Sequence, residues 1–444
     1  MRFKLLIHGA SEVVQVSTNG QPYLIKEDMQ NVNVLRATDQ ISGYSIVVDE
    51  RGRIAAIGSD ENIANSFGHG KFDQVINAAG MVALPGLIDA HTHPVWAGDR
   101  VHEFSMKLAG ATYMDVHKAG GGINFTVEHT RNATELELLK LFQDRAYSMI
   151  KAGTTLIEAK SGYGLDTETE LKMLRVLYLA KQRLPLEISC TFCGAHAVPK
   201  GKTADEATKS VIEEQLPAVH TAMQNGQIDV ENIDVFCEEG VFDIDQTRQI
   251  LEAGKNYGYA INFHGDELHP TSSAELGAKL KARAISHVEK ISEQGILDLA
   301  DAGTVAVVLP TTAYILRLEP PPVRKMIDAG VPVALGSDFN PNAYCYSMPL
   351  VMNMACVNFH MTLEEALVAA TYNAAASIGR SDTHGALQVG YVADILIIDA
   401  PKWEHLIYQM ACHDKLIKYV VKNGHVIYQR PRINVPVEVV EEDI

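Results

Sequence analysis

Leu84-Pro-Gly-Leu-Ile-Asp-Ala-His-Thr-His-Pro94 is an apolar run that stops abruptly at two histidines. Residues 81–90 read as a buried strand bounded by turn formers. Residues two apart on a strand share a face, so His91 and His93 can aim two imidazoles at one point. Two neutral imidazoles at a rigid strand end make half of a divalent-metal site. A lone His-x-His is weak evidence. It gains weight here because it follows a buried strand, where a titratable group is costly unless it has a partner or a task.

Working outward, the whole chain has 444 residues, 47% of them apolar and 21% charged. That describes a globular protein too long for one ordinary core, so a large domain with a smaller one is expected. The formal charge of −17 argues against a nucleic-acid or anionic-membrane surface, where basic patches supply affinity. It leaves room for a small anionic substrate, since one buried arginine reverses a local field. Cys190 and Cys193 form a C-x-x-C, but they fall in a predicted strand on opposite faces, which favours core thiols in a reducing compartment. The first residues lack a long apolar signal, and no run of about 18 apolar residues appears. A cytoplasmic protein is expected.

Residues 1–80 read as short strands, including a hairpin around Asp49-Glu-Arg-Gly52. The far end matches, with a strand in Ala393-Asp-Ile-Leu-Ile-Ile-Asp399 and a hairpin turning on Asn423-Gly424. Neither end carries enough apolar strand for its own core. Residues 1–80 and 381–444 are therefore expected to form one small, discontinuous β-sandwich domain. Between them, residues 81–380 alternate apolar strand and amphipathic helix, as a (β/α)8 barrel requires. Eight strands are predicted to end near His93, Lys160, His196, Glu239, His264, His287, Thr311 and Asp338. Helices are predicted over 134–152, 167–183, 209–225, 245–257, 292–302 and 362–378. A doubly wound open sheet lacks its dinucleotide fingerprint here, because Gly120-Gly-Gly122 follows a predicted helix and reads as a flexible loop.

Barrel chemistry sits at the C-terminal strand ends. Those ends carry His91 and His93, Lys160-Ser-Gly-Tyr163, His196, His264-Gly-Asp-Glu267, His287 and Asp338. Any one histidine could be a hydrogen-bonded core residue. Four strands ending in histidine and another in aspartate are hard to obtain from packing alone. His91, His93, His264 and Asp338 suit one Zn2+ or Fe2+ with a position left for water, whose pKa falls toward about 7 when bound. Asp266 and Glu267 compete as the carboxylate that moves its proton. The fourth strand end, Cys237-Glu-Glu239, offers no lysine for a carbamate bridge, so one metal is the simpler count.

Pro85-Gly-Leu-Ile-Asp-Ala-His-Thr-His93, His264, His287 and Gly336-Ser-Asp338 resemble the amidohydrolase superfamily. Trp96-Ala-Gly-Asp-Arg100, Gly110-Ala-Thr-Tyr113, Lys160-Ser-Gly-Tyr-Gly-Leu-Asp166, Gly194-Ala-His-Ala-Val-Pro199 and Asp338-Phe-Asn-Pro341 narrow the resemblance to its cyclic-amide hydrolases of histidine breakdown. The resemblance implies one zinc or iron ion (Zn2+, or Fe2+/Fe3+) on His91, His93, His264 and Asp338. It implies Glu267 as general base, with His287 steadying the attacking water or the oxyanion. Arg100, Tyr113, Tyr163, His196 and Glu267 would hold 4-imidazolone-5-propanoate, with Asn340, Asn342 and Ala343 beside it. The ring would open to N-formimidoyl-L-glutamate, and family habit suggests a homodimer. Bacterial members commonly read Asp-Phe-Asn-Pro-Gly-Ser where this chain has Asn342 and Ala343. A contact made there by backbone survives that change, and one made by a serine hydroxyl does not. Two rival readings are a nucleobase deaminase on the same scaffold and a non-catalytic barrel. Arg100 and the Tyr163 loop favour an anionic substrate over the first, and the intact ligand set disfavours the second.

Overall fold

Apolar runs that end in a polar residue become the staves of a barrel in the computed structural model, which describes residues 2–110 and 121–431. In chain order the barrel strands are β1 (Leu87–Thr92), β2 (Thr154–Lys160), β3 (Glu187–Ala195), β4 (Asn232–Cys237), β5 (Ala260–Gly265), β6 (Ala284–His287), β7 (Val305–Val308) and β8 (Val333–Leu335). Each pairs in parallel with its sequence neighbour. Closure is made just past the strand ends, where the His93 amide donates to the Phe339 carbonyl at 2.9 Å and the Asp338 amide to that of His91 at 2.9 Å. Asp89 reinforces the seam by accepting the Ser337 amide at 2.8 Å and its hydroxyl. The parallel eight-stranded barrel is the fold class read from the sequence.

Helices cover the outside. Glu135–Lys151 begins at a Thr134–Glu137 capping box, and Thr167–Arg183 is capped by Asp166. The helix expected over 362–378 is two, Leu363–Ala369 and Tyr372–Ser377, broken where Thr371 leaves helical geometry (φ −134°, ψ −87°). The break lets the Asn373 carboxamide bridge the Leu24 and Val333 backbones, contacts that no local pattern announces.

The strand expected over 81–90 is also divided. Val82–Pro85 pairs with Ile395–Ile398 outside the barrel, and Leu87–Thr92 enters it. Gly86 is the crossing point. A Cβ there would lie 2.3 Å from Thr155 Oγ1 and 2.5 Å from its Cγ2, so only glycine lets the backbone pass so close to β2.

Both chain ends build the remaining sheets. One has six strands in the order His425–Gln429, Ile417–Lys422, Ile395–Ile398, Val82–Pro85, Glu12–Val16, Asn33–Arg36. The other has four, Ile54–Ser59, Tyr44–Val48, Arg2–Ala10 and Lys71–Asn77. Leu5, Ile7, Val48, Ile395, Ile397 and Val421 fill the space between them. The terminal hairpin turns where predicted, with Asn423 and Gly424 both left-handed (φ 51° and 74°). Lys422 joins this assembly to the barrel floor, reaching Glu187 at the start of β3 and Asp394, each at 2.6 Å. Among the described residues, no helix is long and apolar enough to cross a membrane.

Candidate metal centre and active site

Four donors from three strand ends converge on one point. The Nε2 atoms of His93 and His264 face each other at 3.1 Å, and Asp338 Oδ1 lies 3.5 Å from His91 Nε2 and 3.7 Å from His93 Nε2. Donors around a tetrahedral ion at zinc-like bond lengths stand about 3.4 Å apart. The spacing therefore fits a single cation. Three of the four rear atoms are already committed, His91 Nδ1 to Ser286 Oγ at 2.8 Å, His264 Nδ1 to Asp234 at 2.9 Å, and Asp338 Oδ2 to the Thr312 hydroxyl, whereas His93 Nδ1 has no partner among the described residues. Such partners fix ring orientation and leave the front atom free for an ion. His91 Nε2 is buried with no hydrogen-bond partner, which is how an ion-binding nitrogen looks without its ion. Burial first, then the neighbouring Lys160 and imidazoles, hold His91 well below the usual histidine range; burial and His196 do the same for His93. Both are neutral and able to ligate. All four donors are N or O, which suits zinc or iron.

Support for this cluster comes from side chains to which the sequence reading gave no role. Lys160 is fully buried and donates to Glu158 and Asp234, each at 2.8 Å. Those two carboxylates outweigh burial and hold it charged. Lys160 thus anchors Asp234, which anchors His264. The available signal was a carboxylate inside an apolar strand, in Ile233-Asp-Val-Phe236 and Leu156-Ile-Glu-Ala159.

The two carboxylates left as rivals have different surroundings. Asp266 Oδ1 accepts from the Thr271 amide at 2.8 Å, and Oδ2 from the Ala274 amide at 2.9 Å, at the start of helix Ser273–Leu280. Among the described residues, Glu267 makes no such bond. Its Oε2 lies 3.6 Å from His287 Nε2, and burial, with Glu289 and Asp338 nearby, pushes its carboxyl well above the usual range. A carboxyl so raised holds a proton more readily than an ordinary one, as a group that takes and passes on a proton must. Glu238, from the end of β4, clamps the loop behind it by accepting the Leu268 amide at 2.9 Å and pairing with His269 at 2.7 Å. Asp266, His287, Val288 and Asp338 all have positive φ, so backbone strain concentrates at this end of the barrel.

His196 stacks on His93 (centroids 4.5 Å apart, planes at 9°), and Tyr163 lies 5.9 Å from His93 and 5.3 Å from His196. Buried Glu170 positions the Tyr163 loop by accepting the amides of Gly162, Gly164 and Leu165. Arg100 Nη2 donates to Glu103 at 2.7 Å, while its Nε is buried without a partner among the described residues. Among the described residues, a cavity of about 790 Å3 is lined in part by Trp96, Arg100, Arg145, Asn342 and Tyr344. Asn340 is turned into its own loop, accepting the Asn342 and Ala343 amides and donating to the Asp338 carbonyl. Its side chain steadies the Asp338 loop. Ala343 is buried. Tyr113 and Gly120 of the glycine loop 120–122 lie outside the described residues.

This barrel, with its convergent histidines, belongs to the amidohydrolase family, whose sequence profile matches residues 82–427. Likeness to solved structures agrees on the fold: guanine deaminase of E. coli (TM-score 0.68, 15% identity, 96% of this chain and 100% of that one) and a zinc-bound adenosine deaminase of Xanthomonas campestris (0.67, 17%, 98% and 95%). Within the family the chain stands with the imidazolonepropionases. It is 58% identical over 426 residues to the "probable imidazolonepropionase" of Nematostella vectensis, covering 96% of this chain and 99% of that protein. It is 56% identical to the human relative of that name (96% and 98%) and 54% to that of Dictyostelium discoideum (96% and 98%).

Proposed function

We propose that this protein hydrolyses the cyclic amide of 4-imidazolone-5-propanoate to N-formimidoyl-L-glutamate in histidine degradation, with one zinc or iron ion held by His91, His93, His264 and Asp338. The carrying observation is the convergence of those four donors beside a buried carboxylate, Glu267, that no hydrogen bond among the described residues has claimed. When bound, the ion makes water nucleophilic near neutral pH and polarises the ring carbonyl. Glu267 takes the proton released as water adds and returns it to the departing ring nitrogen. His287, facing Glu267 through Nε2, accepts a hydrogen bond from the attacking water and steadies it. Arg100 grips the propionate with its planar fork, exchanging Glu103 for the substrate carboxylate. Tyr163 and His196 wall the ring, with Tyr113, Asn342 and Ala343 completing the contact.

The likeness to deaminases lies at 15–17% identity and supports the scaffold alone. Metal analysis with product identification tests the reading. About one zinc or iron per chain and N-formimidoyl-L-glutamate from 4-imidazolone-5-propanoate are expected, with activity lost on chelation and restored by the ion. Ammonia release from a nucleobase, with no lactam opening, overturns the reading.

A further inference from the structure

We propose that Glu289 is a positioning residue for this reaction: its unpartnered buried carboxylate lies behind His287 and orients that ring toward Glu267. The inference deepens the hydrolase reading above and rests on it. β6 ends at His287, and the chain then makes a turn in which His287 and Val288 are both left-handed (φ 81° and 60°). Two successive left-handed residues without glycine, one of them β-branched, are costly and persist only where the surroundings hold them. They are held by the Val288 amide on the Gly265 carbonyl at 3.1 Å and the Lys290 amide on that of Asp266 at 2.7 Å. The turn carries the Glu289 side chain inward until none of it reaches solvent.

Neither Glu289 oxygen has a hydrogen-bond partner among the described residues, and neither does His287 Nδ1. These orphans face each other, Oε2 to Nδ1, at 3.9 Å. On the other edge of the ring, Nε2 lies 3.6 Å from Glu267 Oε2. The order is Glu289, His287, Glu267. Burying a carboxylate with no partner costs free energy that an apolar residue at this place would avoid. Among the described residues, the capping and surface contacts of this turn are made by other side chains. Helix Glu293–Ala302 is capped by Ser292, and Lys290 reaches Glu319. A carboxylate behind an imidazole keeps the proton on Nδ1 and fixes the ring plane, leaving Nε2 to the reacting side. The 3.9 Å gap is long for a hydrogen bond, and bonds of this kind tighten when substrate binds.

Glu289→Gln keeps the shape and replaces the carboxyl by an amide. Its kcat should fall about tenfold to a hundredfold, with KM and bound metal unchanged and Tm equal to or above that of wild type. The deciding measurement is a double-mutant cycle with His287→Asn. If Glu289 acts through His287, adding Glu289→Gln to His287→Asn slows the enzyme no further. Equal fold-losses in both backgrounds, wild-type kcat in Glu289→Gln, or lost metal with a lowered Tm each overturn the proposal. Glu289→Leu repeats the test without any polar demand, and failure of both variants to fold assigns Glu289 to the structure and overturns it too. The wild-type assay keeps the two readings apart. No opening of 4-imidazolone-5-propanoate by wild type overturns the hydrolase reading itself, whereas wild-type turnover with an additive cycle overturns only the role of Glu289.

Discussion

Asp266 and Glu267 are chemically alike and adjacent, and their hydrogen bonds separate them. Asp266 closes the loop before helix Ser273–Leu280, whereas Glu267 is free beside His287. Glu267→Gln should therefore lower kcat by about 10² or more with metal retained, since the amide cannot take a proton. Asp266→Asn tolerates the left-handed backbone but loses one acceptor, so it should cost about 1 kcal/mol of stability and little turnover. Denaturant unfolding and steady-state kinetics on the two variants check the pair. Arg100 makes a third case. Losing its bidentate grip on the substrate tail is worth about 1.5–3 kcal/mol, so Arg100→Lys should raise KM about tenfold to a hundredfold and leave kcat nearly constant. The imidazolone ring without its propionate should be a poor substrate that is indifferent to the change. Equal losses on both compounds would instead make Arg100 a support for Glu103 and its loop.

At the scale of elements, the periodic apolar runs were legible and the breaks between them were not. Eight strands and the helices with capping signals follow from residues close in sequence. The division of 81–90 at Gly86 follows from Thr155, 69 positions away, which leaves no room for a side chain. Gly86→Ala should accordingly destabilise the protein by about 1–3 kcal/mol through overpacking. Thr155→Ala removes two of the three crowding atoms and should recover part of the loss, read as a shift in the denaturation midpoint.

Across the whole molecule, one buried ion cluster ties the barrel floor to the sheets formed by the chain ends. Burial raises the Glu187 carboxyl, but the His384 hydrogen bond and the Lys422 charge outweigh it and hold the group well below the usual carboxylate range. A carboxylate depressed on folding adds stability above its unfolded pKa, about 4.3, and loses it progressively as pH falls below about 5 toward the folded value. Lys422→Met leaves Glu187 with His384 and Arg380 and Asp394 with the Asn423 amide, so its cost near neutral pH should fall below the about 3–5 kcal/mol of breaking a fully buried pair. The variant should also show a shallower fall in Tm between pH 6 and pH 4. A parallel offset of the two curves would place the acid sensitivity elsewhere.

The sequence by itself determined the barrel, the sheets from both ends and the set of histidine and aspartate strand ends. Each of these depends on local periodicity or on a residue type at a strand terminus. Tertiary structure alone decided which carboxylate is free, because Asp266 is consumed by amides from the loop and helix that follow it. It also decided what stands behind the donors: Ser286 behind His91, Lys160 and Asp234 behind His264, Thr312 behind Asp338, Glu289 behind His287. Most of those partners sit on other strands, tens to hundreds of positions away. Hydrogen bonding and burial are properties of neighbours in space, and the barrel makes neighbours of residues that the chain keeps apart.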